Sequence, residues 1–289
     1  MKKMVFKHRL GLFLKSDKMF KHRLGLFLKS DKMFKYRLGL FLKSDKMFKH
    51  RLGLFLKSEP QIKQMNQTII KANIEALNVE FQTLGFPERI HRLYEYFPVD
   101  QVLFTSSFGT KSVVMLTLVS RANAAQKVHM LNTGYHFPET LAYKDTLSEV
   151  TGLEVVEINP DADRHQQTLD TEMWDAQPGR CCHYNKVMPL KAVKKQHTVW
   201  MSGVHSYQTM NRAAMQIFED VDGLIHFHPL IDITEGEFRY HLEKDQLPLH
   251  PLEAQGYGSI GCHHCTRKGQ GRAGRWAGKD KDECGLHLG

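Results

Sequence analysis

Five cysteines carry most of the chemistry open to this chain of 289 residues. Cys181 and Cys182 are adjacent in "GRCCHYNKVMPLKAV", Cys262 and Cys265 sit in "GCHHCTRKGQGR", and Cys284 lies in the terminal "ECGLHLG". Two tight pairs in a chain without a recognisable secretory signal point to metal binding or redox work rather than structural disulfides. A C-x-x-C turn aims two thiolates at one ion or cluster, and the Cys181–Cys182 pair would supply the other two. Four thiolates suit either tetrahedral zinc or a [4Fe–4S] cluster. Spacing does not choose between them, although adjacent cysteines depart from the C-x₂₋₄-C zinc pattern and so favour iron–sulfur. The plainer alternative is a CC pair buried as apolar filling beside a C-x-x-C redox dithiol.

Cations crowd the same stretches: Arg180, Lys186, Lys191, Arg267, Lys268, Arg272 and Arg275. Such a concentration suits a polyanionic ligand and offsets the charge of a thiolate-ligated cluster. Lys191 and Lys268 read as solvated surface charge. A second anion-binding candidate is "SSFGTKS", where Ser106, Ser107 and Gly109 permit a tight turn whose backbone N–H groups, with the following helix N-terminus, hold an anion. It lacks the G-x-x-x-x-G-K-[ST] spacing of a Walker A loop. Plain helix capping is the competing reading.

Positioning these groups takes an α/β framework. "TIIKANIEALN" and "ERIHRLYEYF" have helical spacing of apolar residues. Val102 to Phe104 form a short apolar strand that enters the Ser/Gly turn, and an apolar helix leaves it. "KVHMLNTG", "LEVVEI" and "TVWMSGV" are further strands, while "PETLAYKDTLSEVTG" and "EFRYHLEKDQ" are helices. Alternation of this kind predicts βαβ units and a parallel sheet, with ligands bound at the carboxyl ends of its strands.

Charge divides the chain. Residues 1–64 hold 18 Lys/Arg against 4 Asp/Glu, and with +9 for the whole chain the remaining 225 residues carry a net −5. The basic balance therefore belongs to the N-terminal arm, which argues against a nucleic-acid-binding body. The arm repeats "FKHRLGLFLKSDKM" from Phe6, Phe20, Phe34 and Phe48. As a helix it would be basic and amphipathic, fit to lie on an anionic membrane, but each copy carries a mid-repeat Gly and a polar "KSDK". A recent tandem duplication, with Met65 beginning the functional protein, is the simpler expectation. No stretch reaches the roughly 18 apolar residues of a membrane span.

The motifs "SSFG", "LNTGYHFPET", "CC…KV.PL", "GC..CTR", "GR.GRW" and "ECGLH" together resemble the sulfonucleotide reductases, specifically the assimilatory adenylyl-sulfate (APS) branch. The resemblance runs from about residue 80 to residue 289. It implies a PP-loop, adenine-nucleotide-hydrolase-like fold: a parallel sheet flanked by helices, with a flexible C-terminal tail. The expected organisation is a repetitive arm (1–64), a reductase domain with an iron–sulfur site (65–270) and a mobile catalytic tail (271–289). The resemblance further implies a cytoplasmic enzyme of sulfate assimilation and cysteine biosynthesis that uses thioredoxin or glutaredoxin.

Carried over residue by residue, the resemblance makes Cys181, Cys182, Cys262 and Cys265 the [4Fe–4S] ligands. It sets Lys186 between cluster and substrate and gives the phosphosulfate to Arg272 and Arg275. Ser106, Ser107, Phe108 and Gly109 become the nucleotide loop. The pairs of cysteines separate the chain from the cluster-free 3′-phosphoadenylyl-sulfate (PAPS) reductases. Two departures from the pattern stand out: His205 and Ser206 stand where the family has an arginine pair, with Arg212 as a partial substitute, and Asn185 replaces an arginine.

Cys284 is the one cysteine that a four-ligand site leaves free. As a thiolate it would attack the sulfur of APS, expel AMP and hold an S-sulfo group until a dithiol releases sulfite. The Gly-rich "GQGRAGRWAGKDKDE" is expected to let it swing between substrate and partner, with His287 a solvated tail histidine. Rival readings are PAPS reduction on the same fold, a zinc-binding PP-loop RNA-modifying protein, and a membrane-associated binding protein that uses the arm.

Overall fold

The computed structural model describes residues 73–287. The repeats of residues 1–64 and the expectations attached to them lie outside the described residues. Among the described residues, no helix is long and apolar enough to cross a membrane.

Two helices, α1 over residues 73–82 and α2 over Phe86–Tyr96, precede the sheet. Strand β1 (Val102–Thr105) then leads through the Ser/Gly turn into α3 (Ser112–Ala122), followed by β2 (Val128–Leu131), α4 (Pro138–Thr151) and β3 (Val155–Ile158). A helical lobe comes next: α5 (Ala162–Asp170), α6 (Met173–Ala176), α7 (Pro178–Cys182) and α8 (Met188–Lys194). The chain returns to the sheet with β4 (Val199–Ser202), then α9 (Met210–Ala213), β5 (Phe218–Val221), β6 (Leu224–Phe227) and α10 (Glu235–Lys244).

The sheet order is β3-β2-β1-β4-β6-β5. All neighbours are parallel except β5 and β6, which form an antiparallel hairpin. The parallel strands and helices follow the expected alternation. Helix α3 is apolar nearly all round, and Val113 through Val119 are buried because it is sandwiched between the sheet and neighbouring helices. One physical consequence decides where a ligand can go. Successive connections run outward from β1 to β3 and then restart at β4 on the other side of β1, so the crevice at the carboxyl ends of β1 and β4 is the topological switch point.

The hairpin and the helical lobe were not anticipated from sequence. Asp222 and Gly223 both have positive φ, 55° and 84°, the geometry of a two-residue turn whose twist matches the flanking strands.

Burial also makes the fold acid-sensitive. His250 is 1% exposed; its Nδ1 accepts from the Leu252 amide, so its Nε2–H faces the Thr140 hydroxyl. Burial pushes its pKa down to about 4. Because the folded value lies below the ordinary 6.5, stability is complete above pH 6.5 and falls as pH drops toward 4, by about 3 kcal/mol for this group alone. His250→Gln should flatten the pH 4–6.5 part of the stability curve, measured by urea unfolding.

Candidate active site

The C-terminal ends of β1, β2 and β4 open into a cavity of about 430 Å³, within the roughly 300–1,000 Å³ usual for small-ligand sites. Ser106, Ser107 and Gly109 line it from the β1–α3 turn, Thr133 and His136 from the turn after β2, and Ser202 and Gly203 from the end of β4. Lys186, Arg212, Cys262, Arg272, Arg275 and Cys284 complete the wall. The structure thus gathers every sequence-predicted substrate residue except one. Phe108 is 1% exposed and packs in the main core, so it shapes the turn instead of lining the cleft. Its φ of 50° places it in the left-handed region, with its amide donating to Ser106 Oγ at 3.2 Å.

The four paired cysteines are between 5% and 9% exposed, none is in a disulfide, and all four lie in one small cluster with Tyr135, Met173, Tyr184 and Trp276. Cys181 and Cys182 end α7, and a π-helical turn, His183–Val187, carries the chain into α8. Such wide turns recur at functional sites because they re-aim side chains. Here the turn holds Lys186, four residues after Cys182 and so on the same helix face. Cys262 precedes a 3₁₀ turn, His263–Cys265, whose His263 amide donates to Tyr135 O at 2.8 Å and whose His264 ring stacks on Trp174 at 3.9 Å.

Electrostatics sort the thiols. Burial, with the other three thiolates, pushes Cys181 up to about 12. Burial would raise Cys262 too, but Lys186, the Thr133 hydroxyl and Arg275 together hold it below the ordinary thiol value. Lys186 shows the reciprocal effect: burial opposes its charge, yet Cys262, Cys182 and Cys284 leave it raised. Four unpaired, buried thiols gathered in one cluster beside Lys186 are a donor set that suits a thiolate-ligated metal centre.

Two residues have roles that the sequence reading did not give them. Asn185, standing where an arginine was expected, is 1% exposed and donates to Cys181 O at 3.0 Å and Cys181 Sγ at 3.6 Å, while its Oδ1 meets His165 Nδ1 at 2.8 Å. Its position one helical turn after Cys181 was the available signal. Glu283 is 2% exposed and takes Arg212 in a two-point contact, Nε–Oε1 2.5 Å and Nη2–Oε2 3.0 Å, with Arg272 Nη2 3.6 Å away. Although burial alone would raise the Glu283 carboxyl, Arg212 and Arg272 hold it below the usual carboxylate range.

In the structure the expected linker is folded, and Gly269 and Gly274 of "GQGRAGRW" lie where backbones pack closely. A Cβ on Gly274 would lie 1.9 Å from Arg267 O, and one on Gly258 would lie 2.6 Å from the Gly271 amide. Arg267 N donates to Gly274 O, Trp276 N to Cys265 O, and Gly258 N to Gly269 O. Residues through Trp276 are thus folded onto the C-x-x-C turn.

Beyond them the tail is docked. Cys284 packs against the cysteine cluster, and Leu286 against Leu103, Leu190 and Trp200. Gly285, with φ of 88°, makes the turn between them. His287 is not solvated: it is half-buried, stacked on Trp200 at 4.7 Å. The other departures lie off the cleft wall. His205 is 0% exposed, its Nδ1 2.8 Å from the Tyr207 hydroxyl, and burial pushes it down to about 4. Ser206 anchors its turn by donating its backbone N–H to Ile231 O at 2.7 Å. Lys191 and Lys268 are exposed, as expected.

Replacing Glu283 with Gln should release this docked state. Removing one partner of a buried pair costs about 3–5 kcal/mol, here reduced because the arginines face an open cleft. Hydrogen exchange of residues 282–287 is expected to accelerate by about tenfold or more, with helices α2 and α3 unchanged.

The phosphoadenosine phosphosulfate reductase domain family matches residues 101–268. A protein of Mesorhizobium japonicum named adenosine 5′-phosphosulfate reductase is 34% identical over 232 residues, covering 75% of this chain and 87% of the relative. One of the same name from Bacillus mycoides is 32% identical over 227 residues, covering 75% and 97%. Among solved structures, a phosphoadenylyl-sulfate reductase from Candida auris superposes with a TM-score of 0.56 at 20% identity, over 67% of this chain and 96% of that one, a likeness of fold. On the family match and these relatives, the chain belongs to the phosphoadenosine phosphosulfate reductase domain family.

Proposed function

We propose that this chain reduces adenosine 5′-phosphosulfate to sulfite and AMP in sulfate assimilation, through an S-sulfo intermediate on Cys284. The observation that carries the reading is a spare thiol docked at the wall of a switch-point cleft whose other walls are a nucleotide-loop turn and three cations, Lys186, Arg272 and Arg275. The Cys284 thiolate attacks the sulfur of the phosphosulfate. The new S–S bond forms as the S–O bond to phosphate breaks, and AMP leaves with the electron pair. Arg272 and Arg275 balance the charge gathering on the phosphate oxygens, and Lys186 faces both the sulfo group and the thiolate.

A reduced dithiol of the thioredoxin or glutaredoxin class then attacks Cys284 Sγ and expels sulfite. The second thiol of that dithiol resolves the mixed disulfide and returns Cys284 to its reduced form. Both electrons come from the dithiol. With the other four cysteines assigned to the cluster, the tail thiol has no free resolving partner in this chain, which supports an external reductant.

The burial of four free thiols in one cluster, two of them an adjacent pair unlike the usual zinc spacing, supports a [4Fe–4S] cluster held by Cys181, Cys182, Cys262 and Cys265. When bound, such a group fixes the C-x-x-C turn against α7 and adds fixed negative charge beside Lys186. Asn185, donating toward Cys181 Sγ, would support that ligand from behind. Asn185→Ala is expected to speed iron loss to a chelator by about 10–100-fold.

Sulfite release in the presence of adenosine 5′-phosphosulfate and reduced thioredoxin tests the activity. A kcat/KM higher for the 3′-phosphorylated nucleotide would transfer the assignment to that substrate. Colourless protein containing zinc and no iron would overturn the cofactor reading.

A further inference from the structure

A second cluster of metal-type ligands lies behind the tail, at the hairpin edge of the sheet. Glu219 of β5 and His226 of β6 are cross-strand partners, and His228 follows two residues later, on the same face as His226. One ligand-type atom from each of the three lies within 4.8 Å of the other two. His228 is 0% exposed. Its Nδ1 is 2.9 Å from Ser202 Oγ, but its Nε2 has no hydrogen-bond partner and stops 3.6 Å from Glu219 Oε2, beyond hydrogen-bond reach. A buried nitrogen left unpaired is costly, and one facing a carboxylate across a gap invites a cation.

The tail supplies a further nitrogen. The His287 ring lies 6.0 Å from that of His228, the same separation as His226 from His228, and its Nδ1 is also sealed from solvent without a partner. We propose that Glu219, His226 and His228 form a site for a divalent ion of the zinc class, with His287 as the fourth ligand, so that the ion clasps the tail in its docked position.

Three imidazoles and one carboxylate are a donor set for zinc-class ions, not for magnesium or calcium, which prefer all-oxygen shells. Ser202 orients the His228 ring from behind, as outer-sphere partners of metal-bound histidines do. Glu219 offsets part of the ion's charge, against Lys194 in the same groove. His287 is three residues from Cys284, so the clasp would keep the thiol against the cleft and away from a reductant; that consequence rests on the reading of Cys284 above.

The experiment uses the full chain with its cysteine site loaded. Equilibrium dialysis against Zn²⁺ should give wild-type protein one equivalent that Glu219→Gln and His226→Asn lose, with affinity lowered by at least about tenfold. Glu219 is partly exposed, so Glu219→Gln keeps the fold even if His226→Asn does not. In parallel, Zn²⁺ should slow iodoacetamide alkylation of Cys284 in wild type, but not in Glu219→Gln or His287→Ala. Equal zinc uptake by wild type and Glu219→Gln would overturn the site, and slowing that persists in His287→Ala would overturn the clasp. Neither readout needs turnover, so failure here leaves the reductase reading standing.

Discussion

Cys284→Ser is expected to lower sulfite production by at least about 10⁴-fold, the scale reached when a covalent nucleophile is removed. The change swaps sulfur for oxygen at a half-buried position on the cleft wall, where the side chain only borders the cysteine cluster. Iron content, unfolding midpoint and nucleotide affinity should all match wild type, because the four clustered cysteines, the Ser106–Gly109 turn and the arginines are unchanged. That combination separates a nucleophile from a structural thiol. A structural thiol would lose stability along with activity, and a bystander would lose neither. Retained turnover would mean that one of the buried four attacks substrate. Their packing, at 5–9% exposure, argues against it.

Lys186→Met should produce the second largest loss, about 10²–10³-fold in kcat/KM, with the iron content retained. Its ammonium is the charge on which the site converges. Burial disfavours that charge, and Cys262, Cys182 and Cys284 restore it. Methionine keeps most of the length and apolar stem while removing the cation, so the loss reports electrostatics more than shape. Removing one preorganised donor from a developing anion usually costs this much. Lys186→Arg should recover only part of the activity, since a planar fork does not reproduce a compact ammonium at the same depth. A loss of less than about threefold in Lys186→Met, measured by initial rates at subsaturating substrate, would remove Lys186 from the mechanism.

The chemistry of this chain was more legible than its geometry. Cys181, Cys182, Cys262, Cys265 and Cys284 announce themselves because thiols are few and their spacing is local. The parallel strands were readable from short apolar runs between helical periods, as at Val102–Thr105 and Val128–Leu131. The β5–β6 hairpin was readable in principle from Asp222-Gly223 between "FEDV" and "LIHF", but acidic residues in the first strand mask its alternation.

What stayed hidden depends on long-range pairing. Glu283 looks like one more solvent-facing acid until the fold brings Arg212, 71 residues earlier, against it. Gly269 and Gly274 look like flexibility, yet they mark places where two backbones touch. His287 looks like a tail residue, and only the packing of Leu286 and Trp200 shows that it is held. Composition reports what a segment is made of; contact with distant segments decides whether it moves.

In the proposed reaction one sulfur carries the sulfo group while four others stay locked together. Mass spectrometry of the C-terminal peptide, after incubation with adenosine 5′-phosphosulfate and no reductant, tests it most directly. One added SO₃ on Cys284 is expected, released as sulfite when reduced thioredoxin is supplied. An unmodified Cys284 in protein that still turns over, or the adduct on any of the other four cysteines, would contradict it.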